Sequence, residues 1–340
     1  MLPASETVPP VVTRIVTVPT VSVVLPTFNR LQYLRSAVDS VFAQSFLDWE
    51  LIIADDGSGH ETTAFLQTLE SLPRVRLLRL QHSGNPSVVR NAAIRAARGR
   101  YVAFLDSDDV WLPGKLEVQI AAHRACTARR WSYTALIRID DSGEMLPGES
   151  PRRRPVYEGD IFEQLVTLEA VVTTPSVVVE RALLEEVGGF DEEFFFFEEY
   201  DLWLRLMRIS AVSGIAEPLV LVRNHDQHYS ADRVRVYQSR LQLLDGVARL
   251  DLTAHLRSVL RLERARTAAS LATAYAACNR TCEALKMLWS SRQCAGQDAK
   301  WWRRAAALLL RALVPVWAQG AVRRYRGRHP SAPPRSMPSQ

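Results

Sequence analysis

Tyr101-Val102-Ala103-Phe104-Leu105-Asp106-Ser107-Asp108-Asp109 decides the fold, because an unbroken apolar run meets three carboxylates within four positions. The apolar half has the composition of a buried parallel strand. The acidic half must relieve strong like-charge repulsion. Upstream, Ser87 to Arg98 has helical spacing and ends at Gly99, placed as a left-handed C′ residue. Val75 to Leu80 reads as a strand, Glu61 to Leu72 as a helix, and Trp49 to Ala54 as a strand closed by Asp55-Asp56-Gly57-Ser58. Residues 30–45 carry Leu31, Leu34, Val38, Val41 and Phe42 at helical spacing, and Val21 to Leu25 is a β-branched run ended by Pro26. This alternation predicts a doubly wound α/β fold with a mostly parallel central sheet and flanking helices. Ligands of such sheets bind beyond the carboxyl ends of the strands. Pro26-Thr27, Asp55-Asp56 and the acidic run should therefore converge on one crevice.

Downstream, strands are expected over Trp131 to Ile139, Ser176 to Glu180 and Leu219 to Arg223, with a helix from Glu199 to Ile209. Beyond Tyr237 the pattern is helical, with residues 263–290 forming two helices joined around Asn279-Arg280. Pro3, Pro9, Pro10 and Pro19 interrupt residues 1–19, which read as a loose leader and not a signal peptide. Residues 329–340, rich in Pro, Ser and Arg, read as disordered.

With 340 residues, 47% hydrophobic and 23% charged, the chain can bury a substantial core. The formal charge of +5 is unevenly placed: nine Lys or Arg and no acid lie from Ala299 onward, and the rest is slightly acidic. An anionic partner is expected for that segment alone, and no nucleic-acid partner for the chain. Cys126, Cys278, Cys282 and Cys294 are too few and irregular for a disulfide framework or a zinc site, so free thiols are expected.

The carboxylates of Asp106, Asp108 and Asp109 are hard oxygen ligands suited to Mg²⁺ or Mn²⁺, which could bridge two phosphates of a bound nucleotide. The alternative is a solvated turn that caps a helix ahead of Val110-Trp111; the second acidic pair, Asp55-Asp56, weighs against it. Neither G-x-G-x-x-G nor G-x-x-x-x-G-K-[ST] follows the first strand, which disfavours a dinucleotide dehydrogenase. Any phosphate would then be held by metal and Arg90.

Several motifs occur in order: Val23-Val24-Leu25-Pro26-Thr27-Phe28-Asn29-Arg30, Asp55-Asp56-Gly57-Ser58, Arg90-Asn91 through Gly99, and Phe104 through Asp109. Gly188-Gly189-Phe190-Asp191-Glu192, Glu198 through Arg205, and His225 follow. Over residues 20–230 the chain resembles the family 2 glycosyltransferases. The resemblance implies a GT-A fold and inverting transfer of a sugar from a UDP-, dTDP- or GDP-linked donor to a glycan or lipid-linked acceptor. It implies a catalytic domain over 20–230, with a nucleotide half at 20–130 and an acceptor half at 131–230, then a helical region over 231–328. Pro26, Thr27, Asn29, Asp55, Asp56, Arg90 and Ser107 would bind the nucleotide. Asp106 and Asp108 would hold Mg²⁺ or Mn²⁺, with His225 near metal or diphosphate, and Asp109 would cap the next helix.

The family's base is the Asp of a Glu-Asp pair, whereas here the pair reads Glu198-Glu199. Glu199 is the expected base and Glu198 the substitute; a carboxylate one methylene longer can still take a hydroxyl proton. Phe197, Asp201 and Trp203 would lie on the acceptor side. The four aromatics Phe194 to Phe197 read either as a buried strand end or as an apolar wall, with at least two in the core.

Trp301-Trp302-Arg303-Arg304 precedes an apolar stretch from Ala305 to Val322, itself broken by Arg311 and Pro315. Paired tryptophans and flanking arginines suit a helix lying in an anionic membrane interface through 300–328, and peripheral attachment at the cytoplasmic face. A helix packed on the protein is the alternative. The QxxRW signature of processive synthases does not occur, which points to single-sugar, hexosyltransferase-type transfer. Two rivals are a nucleotidyltransferase, which would need a Gly-rich, Lys-containing loop after the first strand, and a non-catalytic sugar-nucleotide or glycan-binding relative.

Overall fold

The computed structural model describes residues 18–150, 154–224, 232–296 and 298–313. They form two compact units. The first comprises the described parts of Met1–Ile161, Val171–Glu192 and Leu202–Asn224; the second comprises those of Phe162–Ala170, Glu193–Asp201 and His225–Gln340.

The first unit is built on β1 (Val21–Thr27), β2 (Trp49–Asp55), β3 (Val75–Arg79) and β4 (Tyr101–Phe104), with α1 (Leu31–Phe42), α2 (His60–Leu69) and α3 (Pro86–Ala96) between them. These four strands pair in parallel in the order β3-β2-β1-β4. Every residue of β2 is buried, which explains why Leu51 to Ala54 is apolar without alternation. Leu34, Val38 and Val41 of α1 pack on Leu51 and Ile53 in the main core. Asn85 caps α3 by accepting from the Ser87 N–H at 2.9 Å, and Pro86 stands at the first helical position, where a missing N–H is harmless.

The sheet continues through β5 (Val110–Trp111), β6 (Trp131–Ile139), β7 (Val177–Glu180) and β8 (Val212–Arg223), with α4 (Lys115–Ala125) and α6 (Arg181–Val187) alongside. The full order is β3-β2-β1-β4-β7-β6-β8-β5. β7 runs antiparallel to both β4 and β6, β5 antiparallel to β8, and β6 parallel to β8. The sheet is thus mixed, with four parallel and three antiparallel pairings. A short apolar run such as Val177-Val178-Val179 carries no sign of direction, so the reversal was illegible.

At the amino ends of β1 and β2, Glu50 is only 2% exposed. Its carboxylate accepts from Ser22 Oγ at 2.7 Å, from the Arg98 backbone N–H at 2.9 Å, and from Arg98 Nη2 at 2.6 Å. Burial pushes the Glu50 carboxyl up, but the bonds from Arg98 and Ser22 outweigh it and hold the group below its ordinary value. Gly99 is not the C′ residue of α3: the helix ends at Ala96, Ala97 is already extended, and Gly99 has no left-handed φ. Instead, a Cβ at Gly99 would lie 2.6 Å from the Ser22 backbone nitrogen, so close backbone approach demands glycine.

The second unit holds α5 (Phe162–Thr167), α8 (Arg233–Val247), α9 (Ala254–Ala277), α10 (Thr281–Ala295) and α11 (Ala299–Leu313). The helix α7 (Glu198–Met207) starts among its residues. Asp232 and Thr253 cap α8 and α9. The join between α9 and α10 falls at Asn279, left-handed at φ 61°, where the sequence places it. Small residues (Ala265, Ala269, Ala272, Ala276) let α9 approach its neighbours closely, and Leu288, Trp301, Ala305 and Leu308 complete the core. All four cysteines are free thiols.

The tryptophan pair divides between core and solvent. Trp301 is 3% exposed and donates from Nε1 to Ser291 Oγ at 3.2 Å, whereas Trp302 is 52% exposed. Trp301, Ala305 and Leu308 form one buried stripe at i, i+4 and i+7; Trp302, Ala306 and Leu309 form a second, exposed one. An outward-facing pair is therefore ruled out. Among the described residues no helix is long and apolar enough to cross a membrane.

Candidate active site

The carboxyl ends of β1, β2 and β4 bring the Pro26-Thr27, Asp55-Asp56 and Asp106–Asp109 segments into the first unit. Asn29 takes a left-handed φ of 51° just after β1. Its Oδ1 accepts from the Gly59 N–H at 2.8 Å and its own N–H donates to Ser58 Oγ at 2.9 Å, latching the turn after β1 to the turn after β2. Thr27 Oγ1 is buried with no hydrogen-bond partner. Asp55 accepts from the Ser58 N–H at 3.1 Å. Asp56 accepts from the backbone and hydroxyl of Ser83 at 2.8 and 2.9 Å, and from the Gly84 N–H at 2.9 Å. Both carboxylates are buried and order these loops. His82 lies 3.0 Å from Asp56 through Nδ1 and stacks on Phe28 with centroids 4.1 Å apart.

The acidic loop follows β4. The Asp109 N–H closes a turn onto the Asp106 carbonyl at 3.1 Å. Asp106 Oδ1 meets Arg90 Nη2 at 2.7 Å, and Asp108 Oδ2 stands 3.7 Å from Arg30 Nη1. Their side chains keep 25% and 22% exposure. Asp109 differs: it is 5% exposed and its Oδ1 accepts the backbone N–H of Arg223 at 2.8 Å. Burial, then the charges of Asp108 and Asp106, push its carboxyl well above the ordinary range. The expected helix cap at Asp109 is thus corrected. The loop runs into β5, α4 starts only after Gly114, and Asp109 braces the loop against β8. Ser107 is buried between the two acids.

The donor set suits a hard divalent cation. Asp106 and Asp108 offer two partly exposed carboxylates, and Mg²⁺ or Mn²⁺ commonly takes one or two of these and completes its shell with phosphate oxygens and water. Among the described residues, no group of three or more His, Cys, Asp or Glu encloses such a site. His225 lies outside the described residues.

Sequence reasoning missed several residues here. Arg223 closes β8, Arg30 opens α1, and the Tyr33 hydroxyl donates to Asp141 Oδ1 at 2.8 Å. For Arg223 the readable signal is a charged residue at the end of an apolar strand two positions before His225.

Asn91 of α3 holds the Gly188-Gly189-Phe190 turn. Its Oδ1 accepts from the Phe190 N–H at 2.9 Å, and its Nδ2 donates to the Phe190 carbonyl at 2.8 Å and to Glu192 Oε1 at 2.9 Å. Gly189 has φ 73°, and a Cβ there would lie 2.7 Å from Asn91 Oδ1. Trp203 is fully buried, stacks on Trp131 at 5.8 Å and donates to the Val172 carbonyl at 3.2 Å. Its expected place on the acceptor side is overturned, because a wholly buried indole has no surface to offer.

Phe197, Glu198, Glu199 and Asp201 belong to the second unit. Glu198 is buried, whereas Glu199 and Asp201 are half-buried in the first turn of α7, where acids are favoured by the helix dipole. The aromatic run is no strand: Phe194 is buried, while Phe195, Phe196 and Phe197 are half-buried in irregular backbone, with Phe197 left-handed at φ 63°. Arg240 lies 5.4 Å from the Phe197 ring centroid and Arg235 5.8 Å from that of Phe195.

Comparison with known proteins identifies this arrangement. The profile described as glycosyl transferase family 2 matches residues 22–187. A UDP-Glc:alpha-D-GlcNAc-diphosphoundecaprenol beta-1,3-glucosyltransferase, WfgD of Escherichia coli, is 29% identical over 195 residues, covering 57% of this chain and 72% of that protein. The chain spans less than two thirds of several other curated relatives, 64% and 32% for two from Rickettsia. Solved structures share the fold, among them the following two. TarS 1-349 of S. aureus in complex with UDP has a TM-score of 0.59 at 18% identity, covering 81% of this chain and 91% of that one. The mannosyltransferase PcManGT of Pyrobaculum calidifontis, in complex with GDP-Man and Mn2+, has a TM-score of 0.55 at 18% identity, covering 86% and 88%. The acidic loop at the end of β4, the mixed sheet and the matched profile agree: residues 22–187 form a glycosyl transferase family 2 domain.

Proposed function

We propose that this chain moves a single sugar, with inversion, from a nucleoside-diphosphate sugar to an acceptor hydroxyl in the synthesis of a cell-surface polysaccharide or related glycan. The observation that carries the reading is the pair Asp106 and Asp108, partly exposed at the end of β4 with Arg90 and Arg30 against them. Relatives described as WfgD and as the putative teichuronic acid biosynthesis glycosyltransferase TuaG support the surface-glycan class. The acceptor in WfgD's description, a sugar on diphosphoundecaprenol, supports a lipid-linked acceptor here.

In this reading residues 20–130 hold the nucleotide and 131–230 the acceptor. Pro26, Thr27, Asn29, Asp55, Asp56 and Ser107 shape the nucleotide pocket, and Arg90 stands by the diphosphate. Asp106 and Asp108 would hold Mg²⁺ or Mn²⁺, with His225 a further candidate ligand; the cation, when bound, would neutralise charge growing on the leaving diphosphate. Glu199 takes the proton of the acceptor hydroxyl, whose oxygen bonds to the anomeric carbon as the bond to the diphosphate breaks. Glu199 is more exposed than Glu198, which favours it as the base. Phe197 and Asp201 stand on the acceptor side.

A thermal-shift screen of UDP, dTDP and GDP and their sugars, with and without Mn²⁺, identifies the donor. Transfer by wild type and Glu199→Gln then tests the base, and the anomeric configuration of the product tests inversion. Unchanged turnover in Glu199→Gln rejects the base. Metal-dependent donor binding with no turnover in wild type favours the non-catalytic binding relative.

The same reading places the chain at the cytoplasmic face of a membrane, with anionic lipid as the partner of 300–328. The exposed stripe Trp302, Ala306 and Leu309 beside Lys300 and Arg303 supports it, since no acid follows Ala299 to oppose anionic headgroups. Sedimentation with phosphatidylglycerol vesicles should exceed that with phosphatidylcholine and fall in Leu309→Glu. Equal sedimentation of variant and wild type, or a stripe that instead mediates dimers, rejects it.

A further inference from the structure

We propose that Arg223 is a positioning residue that sets where the Asp106–Asp109 loop presents its carboxylates to a divalent cation and nucleoside diphosphate. This inference rests on the metal-site reading above.

Arg223 ends β8 and is 6% exposed. Its backbone N–H donates to Asp109 Oδ1 at 2.8 Å, and its Nε donates to the Asp108 carbonyl at 3.1 Å. The chain is therefore held at the carbonyl of Asp108 and again at the next side chain. With the Asp106 carbonyl already closing the turn, the Asp108 backbone has little freedom left, and its carboxylate departs from a fixed point.

The other side of the guanidinium is also anchored. Nη1 donates to the carbonyls of Asp140 at 2.7 Å and Asp141 at 2.8 Å. The guanidinium lies 4.8 Å from the Tyr33 ring centroid, and the Tyr33 hydroxyl binds Asp141. The turn after β6 and the first turn of α1 thus hold Arg223, which in turn holds the acidic loop. A planar fork that reaches carbonyls on two separate loops is a geometry lysine cannot reproduce.

Arg223 also differs in kind from Arg30 and Arg90. Those two face the side chains of Asp108 and Asp106, so an arriving cation competes with them. Arg223 grips backbone carbonyls and can stay in place when the carboxylates change partners. Outer-sphere groups of this kind orient metal ligands, and their loss weakens metal binding about 10- to 100-fold.

The test measures Mn²⁺ binding to the full chain by paramagnetic resonance in the presence of UDP or GDP, at a temperature where each variant is folded. Arg223→Met should lower Mn²⁺ affinity about 10- to 100-fold, and Arg223→Lys should recover only a minor part of that loss. Tyr33→Phe, which keeps the ring and loses the bond to Asp141, should move affinity in the same direction by less. If Arg223→Met does not fold, Arg223→Lys and Tyr33→Phe decide. Wild-type affinity in both overturns the inference, as does full rescue by lysine, which would mean that charge alone suffices. A lowered unfolding temperature with unchanged Mn²⁺ affinity also overturns it, as a purely structural role. Absence of Mn²⁺ binding in wild type overturns the metal-site reading itself, and this inference with it.

Discussion

The two ends of the same parallel strands treat carboxylates in opposite ways. At the amino ends, Glu50 is enclosed: Ser22, Arg76 and Arg98 all point at its oxygens, and 3% of its side chain reaches solvent. At the carboxyl ends, Asp106 and Asp108 keep about a quarter of their side-chain surface open, crowded by the buried Asp109. One end spends its acid on cohesion, whereas the other crowds three acids into one turn and meets two of them with Arg90 and Arg30. Such crowding favours the arrival of a further cation, which fits the end where we propose the chemistry.

The contrast can be broken from either end. The largest effect is expected from Asp108→Asn, which should lower sugar transfer on the order of a thousandfold, since a catalytic cation supplies several kcal/mol of charge stabilisation. Its unfolding free energy should stay level or rise, because a repulsion on Asp109 is removed. A stability loss matching the activity loss would erase the distinction between the ends. Next, Glu50→Ala should cost about 3 kcal/mol of stability in urea unfolding, as charge-assisted bonds are lost and buried donors stranded. Donor KM should not change in the folded protein.

The smallest effect is a pH window. Because the folded Glu50 carboxyl lies below its ordinary 4.5, its contribution is complete above that value and fades as pH falls through the lowered one. The stability gap between wild type and Glu50→Gln should therefore narrow on acidification below about pH 4.5. A gap that widens there would mean that the carboxylate is not held ionised by Arg98.

Much of this was readable from the chain alone. Val21 to Leu25, Trp49 to Ala54 and Tyr101 to Leu105 are short, mostly apolar runs that alternate with helical patterns and so read as interior strands, and the acids fall where such strands end. What escaped depends on contacts distant in sequence. Asp109 looked like a cap because Asp before a new element usually is one; that its oxygen meets the nitrogen of residue 223 is decided by β8. Trp203 lies close to Glu198-Glu199 in sequence, but helical rotation turns it onto Trp131 in the core. The direction of β7 and the crowding at Gly99 are tertiary facts with no local signature.

The turn held by Asn91 constrains how this protein can change. Because Asn91 Oδ1 occupies the space a methyl at position 189 would need, the two positions cannot be varied independently. Gly189→Ala alone meets both a clash and an unfavourable φ, while Asn91→Ala alone empties the site and strands the Phe190 amide. Part of the first penalty is the asparagine's own, so the double change should cost less than the sum of the single ones. Libraries built on this scaffold should treat positions 91 and 189 as one epistatic unit, randomised together or left alone.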